Sequence, residues 1–274
     1  MAEDVQTYRV KAFNAATESD NRIHSDEVAR QYGFSGGLVP GVTVFAYMTR
    51  PVLDALGEDW LARGTMGGRF LQPVYEGEEV RAYATLGDDD EGQPTAAVTL
   101  QKPDGEVGAT GVATLPADPR PAPAPDEYDA APWPAAKEPA GERTLAPGRV
   151  LGTFEVTCKP GYAEEYLGIV ADDHPLYRQG YAHPGWLLQL ANLAFSQQVR
   201  LGPWIHVESE VTTFAPVMVG DRIEVRPRVA DRFDRRGLRF VALDMLYVVD
   251  GRAVRHVLHT AIWEIRRAEA EAGS

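Results

Sequence analysis

Between Glu18 and Val44 the chain sets an amide, Asn21, and a histidine, His24, on a polar loop ahead of a helix start at Pro40-Gly41. An imidazole titrates near neutrality and can take or return a proton at ordinary pH. A helix N-terminus presents backbone N–H groups and the positive end of a dipole, which favour developing negative charge. A base and such an N-terminus close together suit acid–base chemistry beside a carbonyl. Ser19 and Asp20 supply the nearest hydroxyl and carboxylate on the N-terminal side. A second polar loop, Asp172-Asp173-His174-Pro175-Leu176-Tyr177, precedes a second helix start at His183-Pro184-Gly185.

The elements that position these groups can be read from spacing. Residues 8–16 read as a strand. Ser25 is placed to cap a short helix, with Asp26 and Glu27 in its first turn, ending near Gly33. Gly36 and Gly37 allow a tight turn. Residues 42–56 are apolar on nearly every face, which predicts a buried helix. Pro51 is expected to bend or restart it. Strands follow at 66–74, 78–87, 94–102 and 106–115, with Val80, Ala82, Ala84 and Leu86 in period-two spacing. Pro103-Asp104-Gly105 reads as a hairpin turn.

Residues 116–147, opening Pro-Ala-Asp-Pro-Arg-Pro, lack apolar periodicity and read as an extended linker. At roughly 3 Å per residue such a segment crosses the width of a domain. The order then returns. A strand at 150–157 and a helix at 161–170 lead to the second polar loop and an apolar helix at 186–201. Strands at 204–217, 221–232, 238–249 and 252–266 complete the chain, with Asp250-Gly251 as a two-residue hairpin.

The return is a repeat. Pro40-Gly41 matches Pro184-Gly185, and Pro73-Val74-Tyr75-Glu76-Gly77-Glu78-Glu79-Val80 matches Pro216-Val217-Met218-Val219-Gly220-Asp221-Arg222-Ile223. Two matches in one order at nearly one offset indicate a duplicated unit of one buried helix followed by an antiparallel sheet, an α+β class. The units are expected at 1–117 and 148–268, joined by the linker 118–147 and followed by a tail at 269–274.

Composition narrows the function. A net charge of −13 argues against general nucleic-acid binding. The second half is arginine-rich, with Arg222, Arg226, Arg228, Arg232, Arg235, Arg236 and Arg239 close together. They form either a solvated strand pair or a site for an anionic ligand such as a phosphorylated tail. No run of eighteen apolar residues suggests a membrane span, and the N-terminus has no secretory pattern. The single cysteine, Cys158, allows no internal disulfide, which fits a reducing cytoplasm. No histidine–carboxylate cluster has metal-ligand spacing, and neither a phosphate loop nor a Gly-x-Ser-x-Gly elbow occurs. His256 and His259, three apart on a strand, face opposite sides and read as structural.

A helix wrapped by a meandering sheet, duplicated in one chain, resembles a double hotdog protein. The loops resemble the Gly-Asp-x-Asn-Pro-Leu-His motif of MaoC-like (R)-specific enoyl-CoA hydratases. Asn21-Arg22-Ile23-His24 matches its Asn-Pro-Leu-His part at three of four positions, with Ile for Leu and Arg22 at the proline position, and Asp172-Asp173-His174-Pro175-Leu176-Tyr177 keeps Asp, Pro and Leu. The motif's aspartate position is Ser19 in the first loop. Its asparagine and histidine positions are His174 and Tyr177 in the second. The resemblance implies hydration of a 2-enoyl thioester or dehydration of a 3-hydroxyacyl thioester, with acyl-CoA as substrate and no further cofactor. His24 is then base and acid, and Asn21 with Asp20 or Ser19 positions the water. The N–H groups of Gly41 and Val42 bind the thioester oxygen; one such donor is typically worth about 3 kcal/mol. A local bulge would bring Asp20 into the carboxylate's place; otherwise it caps the loop and faces solvent. Asp172, His174 and Tyr177 are second-half candidates, and Asp172 is not expected to reach His24. His183 reads as a packed residue at the helix start. A thioesterase and a non-catalytic acyl-CoA- or partner-binding protein are the rivals. Two units in one chain imitate a dimer, so a monomer or a homodimer is expected.

Overall fold

The computed structural model describes residues 5–265. The expected tail, 269–274, lies outside them. The first unit runs β1 (Val5–Lys11), α1 (Asp26–Gln31), α2 (Gly41–Leu56), α3 (Asp59–Arg63), β2 (Thr65–Phe70), β3 (Glu79–Asp88), β4 (Pro94–Gln101) and β5 (Val107–Thr114). A two-residue strand, β6 (Glu138–Pro139), lies in the connecting segment. The second unit runs β7 (Phe154–Thr157), α4 (Pro160–Val170), α5 (Pro175–Arg178), α6 (Pro184–Ser196), β8 (Val199–Arg200), β9 (Ile205–Thr213), β10 (Arg222–Arg235), β11 (Leu238–Val249) and β12 (Arg252–Glu264).

Ten strands form one antiparallel sheet in the order β1-β3-β4-β5-β2-β9-β12-β11-β10-β7. The order is a palindrome under the repeat: β1 answers β7, β3 answers β10, β4 answers β11, β5 answers β12 and β2 answers β9. The units join where β2 pairs β9, from Thr65 opposite Thr212 to Arg69 opposite Glu208. There Arg69 and Glu208 form an ion pair at 2.7 Å.

Both central helices are buried in the wrap of the sheet. α2 buries Val42, Val44, Phe45, Tyr47, Met48, Val52 and Leu53, and α6 buries Trp186, Leu187, Leu188, Leu190 and Phe195. They also touch each other. A Cβ on Gly185 would overlap Ala46 and crowd the Tyr166 hydroxyl at 2.6 Å, so only glycine lets the helices approach this closely. The helix continues through Pro51, whose missing N–H leaves the Tyr47 carbonyl without that intrahelical bond. α6 ends at Ser196, short of the expected Leu201, because Val199 and Arg200 pair in parallel with Glu138 and Pro139.

The linker is not free-running. Its Tyr128 is buried and donates from its hydroxyl to Asp244 at 2.8 Å. Arg226 donates to the carbonyls of Pro125 and Tyr128. Arg228 donates to Asp244 and lies 4.2 Å from the centre of the Tyr128 ring. His256, on the outer face, reaches the same carboxylate at 2.6 Å, whereas His259 points inward and is fully buried. Arg222, Arg232 and Arg239 pair with Glu155, Glu142 and Glu264. The arginine-rich strands therefore clamp the linker and neutralise nearby acids. Cys158 is buried, and burial raises its thiol pKa to about 11.

Candidate active site

The first polar loop leaves β1 at Ala12 and is fixed from several sides. Glu76 accepts from the Asn14 N–H, and the Asn14 side chain donates to the His24 carbonyl at 2.9 Å. Ser25 stands at the cap position of α1, but its hydroxyl turns back to the Arg22 carbonyl at 3.0 Å and does not cap the helix. Asp26 accepts from the Gly37 N–H at 2.8 Å and pairs with Arg30, so it ties the loop to the glycine turn. A Cβ on Gly37 would overlap the His24 carbonyl oxygen. The glycine turn therefore lies flush against the backbone that carries the histidine.

His24 is buried. Its Nδ1–H donates to the Leu38 carbonyl at 2.7 Å, which leaves Nε2 with the lone pair. Burial lowers its pKa, opposed by the Leu38 hydrogen bond, so the ring is a neutral base at pH 7. The Asn21 Nδ2 lies 3.3 Å from that Nε2. The same amide donates to the Trp204 carbonyl at 2.9 Å and accepts from the Trp204 N–H at 3.2 Å. Asn21 thus clamps the second unit to the first while facing the imidazole.

The remaining first-loop candidates lie elsewhere. Asp20 is exposed, pairs with Lys137 of the linker at 3.2 Å, and has its pKa lowered by that hydrogen bond and charge. The bulge that would bring it beside His24 does not form. The Ser19 hydroxyl donates to the Asn21 carbonyl at 3.2 Å. Among the described residues no carboxylate is hydrogen-bonded to His24.

Two cavities meet at this histidine. One, of about 250 Å³, has mostly apolar walls that include Phe34, Val44, Phe70 and Ile262, together with Gly41 and His206. The other, of about 390 Å³, runs between the first loop and α6 past Ser19, Asp20, Val42, Gln189, Ser196 and Gln197. Asn21, His24, Asn192 and Trp204 line both. Gly41 and Val42 begin α2, and their N–H groups precede its first intrahelical bonds, which are made by Thr43 and Val44 to Pro40.

The second loop is built differently. Asp172 is buried and accepts from Arg50 of α2 at 2.9 Å and from the His174 N–H at 3.0 Å. Its other oxygen meets His183 Nε2 at 3.3 Å. His183 Nδ1 accepts from the Gly185 N–H at 3.0 Å, so its Nε2 carries the proton. Burial raises the Asp172 pKa, but the His183 and His174 hydrogen bonds and the Arg50 charge outweigh it and leave the group ionised. His174 Nδ1 accepts from the Leu176 N–H at 3.3 Å, and Tyr177 is buried with its ring 4.7 Å from that of His183. Asp172, His174 and Tyr177 line neither cavity at His24; Arg50 and His183 engage Asp172.

No protein-family model matches the sequence, and no curated protein matches it. Solved structures do. A protein described as a MaoC-domain dehydratase, from Chloroflexus aurantiacus J-10-fl, superposes with a TM-score of 0.61 at 12% identity, covering 97% of this chain and 96% of its own. A conserved Mycobacterium tuberculosis protein with a double hotdog fold gives 0.58 at 18% identity, covering 96% of each chain. The fold is the double hotdog. A protein described as an oleoyl thioesterase, from Lactobacillus plantarum, gives 0.54 at 8% identity, covering 96% of this chain and 97% of its own. At such identities the likeness is one of fold.

Within the double hotdog, the second unit supplies wall residues that the sequence did not single out. Trp204 and His206 come from the approach to β9 and its start, and Asn192 from α6. His206 is buried beside Gly41, where a Cβ would come within 2.7 Å of its Nδ1. Its Nε2 contacts the Ser209 hydroxyl at 2.8 Å, and that hydroxyl contacts His259 at 3.0 Å. Burial holds both imidazoles well below their ordinary pKa, so they stay neutral. One signal for the α6 wall was present: Gln189, Asn192 and Ser196 recur at helical spacing on an otherwise apolar helix.

Proposed function

We propose that the chain adds water to 2-enoyl thioesters, or in reverse dehydrates 3-hydroxyacyl thioesters, with acyl-CoA as the substrate. The observation that carries this reading is a neutral His24, held through Nδ1 by the Leu38 carbonyl and through its acceptor Nε2 by Asn21 at 3.3 Å, in the walls of two cavities that meet near the start of α2. The apolar cavity suits an acyl chain. The more amphipathic one, with Gln189, Ser196 and Gln197 in its walls, suits a pantetheine arm.

In the hydration direction, His24 Nε2 takes a proton from water as the water oxygen bonds to the β-carbon. The π-electron pair moves toward the thioester oxygen, and the Gly41 and Val42 N–H groups stabilise the enolate. The imidazolium then returns a proton to the α-carbon, and the carbonyl reforms. Water has added across the double bond and the base is restored.

The test is His24→Ala, assayed with 2-enoyl-CoA by loss of enone absorbance and with saturated acyl-CoA by release of free thiol. The expected result is enone loss by the wild type without thiol, reduced at least ~100-fold in the variant. Full activity in the variant removes His24 from the reaction. Thiol release makes the protein a thioesterase. That no carboxylate among the described residues is hydrogen-bonded to His24 favours one second reading, a protein that binds acyl-CoA without turnover. Saturable binding with no product on a broad panel would select it.

A further inference from the structure

The repeat gives residues near the joint of the two units their counterparts. The turns at Pro73 and Pro216 match Phe70 to Thr213, and the hairpins at Asp104-Gly105 and Asp250-Gly251 match Ala109 to Arg255. The sheet register agrees: Phe70 pairs Ala109, and Thr213 pairs Arg255. In the first unit Phe70 lines the cavity of about 250 Å³ at the start of α2. In the second, Thr213 and Arg255 line a cavity of only about 10 Å³, together with Pro184 at the start of α6. An arginine thus stands in the core where the first unit has a buried alanine. It is 3% exposed. Burial pulls its pKa down to about 10, so it stays charged at pH 7. It donates to the Pro184 carbonyl at 3.5 Å and to the Thr213 hydroxyl at 3.3 Å. Both contacts are long and both acceptors are neutral. Among the described residues no carboxylate pairs with it, and the ionisable groups acting on it are the tyrosines Tyr247 and Tyr177. A buried charge without a counter-charge is strongly destabilising.

We propose that Arg255 holds a small monovalent anion, a halide such as chloride, in the cavity at the start of α6. Pro184 and Thr213, which accept from the two ends of the guanidinium, line the same cavity, so the cation is held at its wall. The facing walls, Phe45, Trp60, Leu61, Met66 and Val211, are apolar and bring no competing negative charge. A cavity of this size holds about one water-sized particle. A halide is a single atom and carries the one charge needed, whereas sulfate, phosphate or a carboxylate brings several heavy atoms. Water fits but leaves the charge uncompensated. Guanidinium is weakly hydrated, which lowers the cost of pairing it away from solvent. Phe45, Trp60 and Met66 come from the first unit, and Pro184, Val211, Thr213 and Arg255 from the second. The anion therefore binds the joined units and stabilises their joint. This goes beyond the reaction proposed at His24 and does not depend on it.

The experiment begins with protein dialysed into sodium gluconate, whose anion is too large for the cavity. Chloride then replaces gluconate at constant ionic strength. Thermal melts and chloride NMR linewidths are recorded for wild type, Arg255→Met and Arg255→Gln. The wild-type Tm is expected to rise by roughly 2–3 °C once chloride reaches about ten times its Kd. The chloride resonance is expected to broaden saturably and to sharpen when bromide displaces the bound ion. Both variants are expected to lose the Tm shift and the saturable broadening. Arg255→Gln keeps hydrogen-bond donors without the charge and guards against a misfolded Arg255→Met. A wild type with no saturable broadening, or a folded variant that keeps the wild-type response, overturns the inference. No readout involves turnover, so the result is separate from the fate of the hydratase reading.

Discussion

At the scale of single residues, the site turns on which nitrogen of His24 carries the lone pair. The Leu38 carbonyl holds Nδ1–H at 2.7 Å, so only Nε2 faces the cavities. Burial favours the neutral ring, and its folded pKa lies below the ordinary histidine value of about 6.5. The base must be unprotonated to act. The rate therefore rises as pH climbs through the folded pKa and is flat at and above neutrality. The expected profile of kcat/KM has its acid limb below about pH 6.5. A limb centred above that value would mean another group is the base. His24 and Asn21 were legible because they sit in one loop, three residues apart. The fate of Asp20 was not, because Lys137 lies far along the chain and draws the carboxylate outward. Asn192 was read as part of an apolar core helix. Its neighbours in sequence are apolar, and the direction it faces depends on the other unit.

At the scale of elements, the two polar loops have parted in role. The first opens onto cavities, and the second is closed by Arg50, which reaches from α2 to Asp172 and Asp173, both at 2.9 Å, and to Asp54. This ties α2 to the second loop, as Asn21 ties the first loop to Trp204. Asp172→Asn removes a buried charge while Arg50 keeps two other acids. The expected cost is about 2 kcal/mol in denaturant unfolding, below the ~3–5 of a fully buried broken pair. Turnover on enoyl thioester is expected to stay within about twofold, since the loop lies apart from His24. A large fall in kcat at unchanged stability would move the chemistry to the second loop. The helices, hairpins and repeat were readable from periodicity and turn residues, because those are local properties. The Arg50 bridge was not, since it spans 122 positions between different units.

At the scale of the whole molecule, the repeat fixed most of the architecture. Matching Pro-Gly helix starts and matching Pro-Val-x-x-Gly turns foretold two copies of one unit. The palindromic sheet follows once β2 and β9 pair edge to edge. Among the described residues no helix is long and apolar enough to cross a membrane. The packing of the extended linker was not legible. Its composition carries little periodicity, yet Tyr128 and Leu145 are buried and Arg226 and Arg228 clamp it to the sheet.

The closure of the second loop by Arg50 also sets a stoichiometry. A symmetric pair of separate units would hold two ligands, one at each helix start. Here Arg50 and His183 engage Asp172 beside the second helix start, so the proposed acyl thioester is expected at one site per chain. Calorimetric titration with a non-reacting saturated acyl-CoA is expected to saturate at one ligand per chain and to follow a single-site isotherm. A plateau at two would show that Arg50 can be displaced.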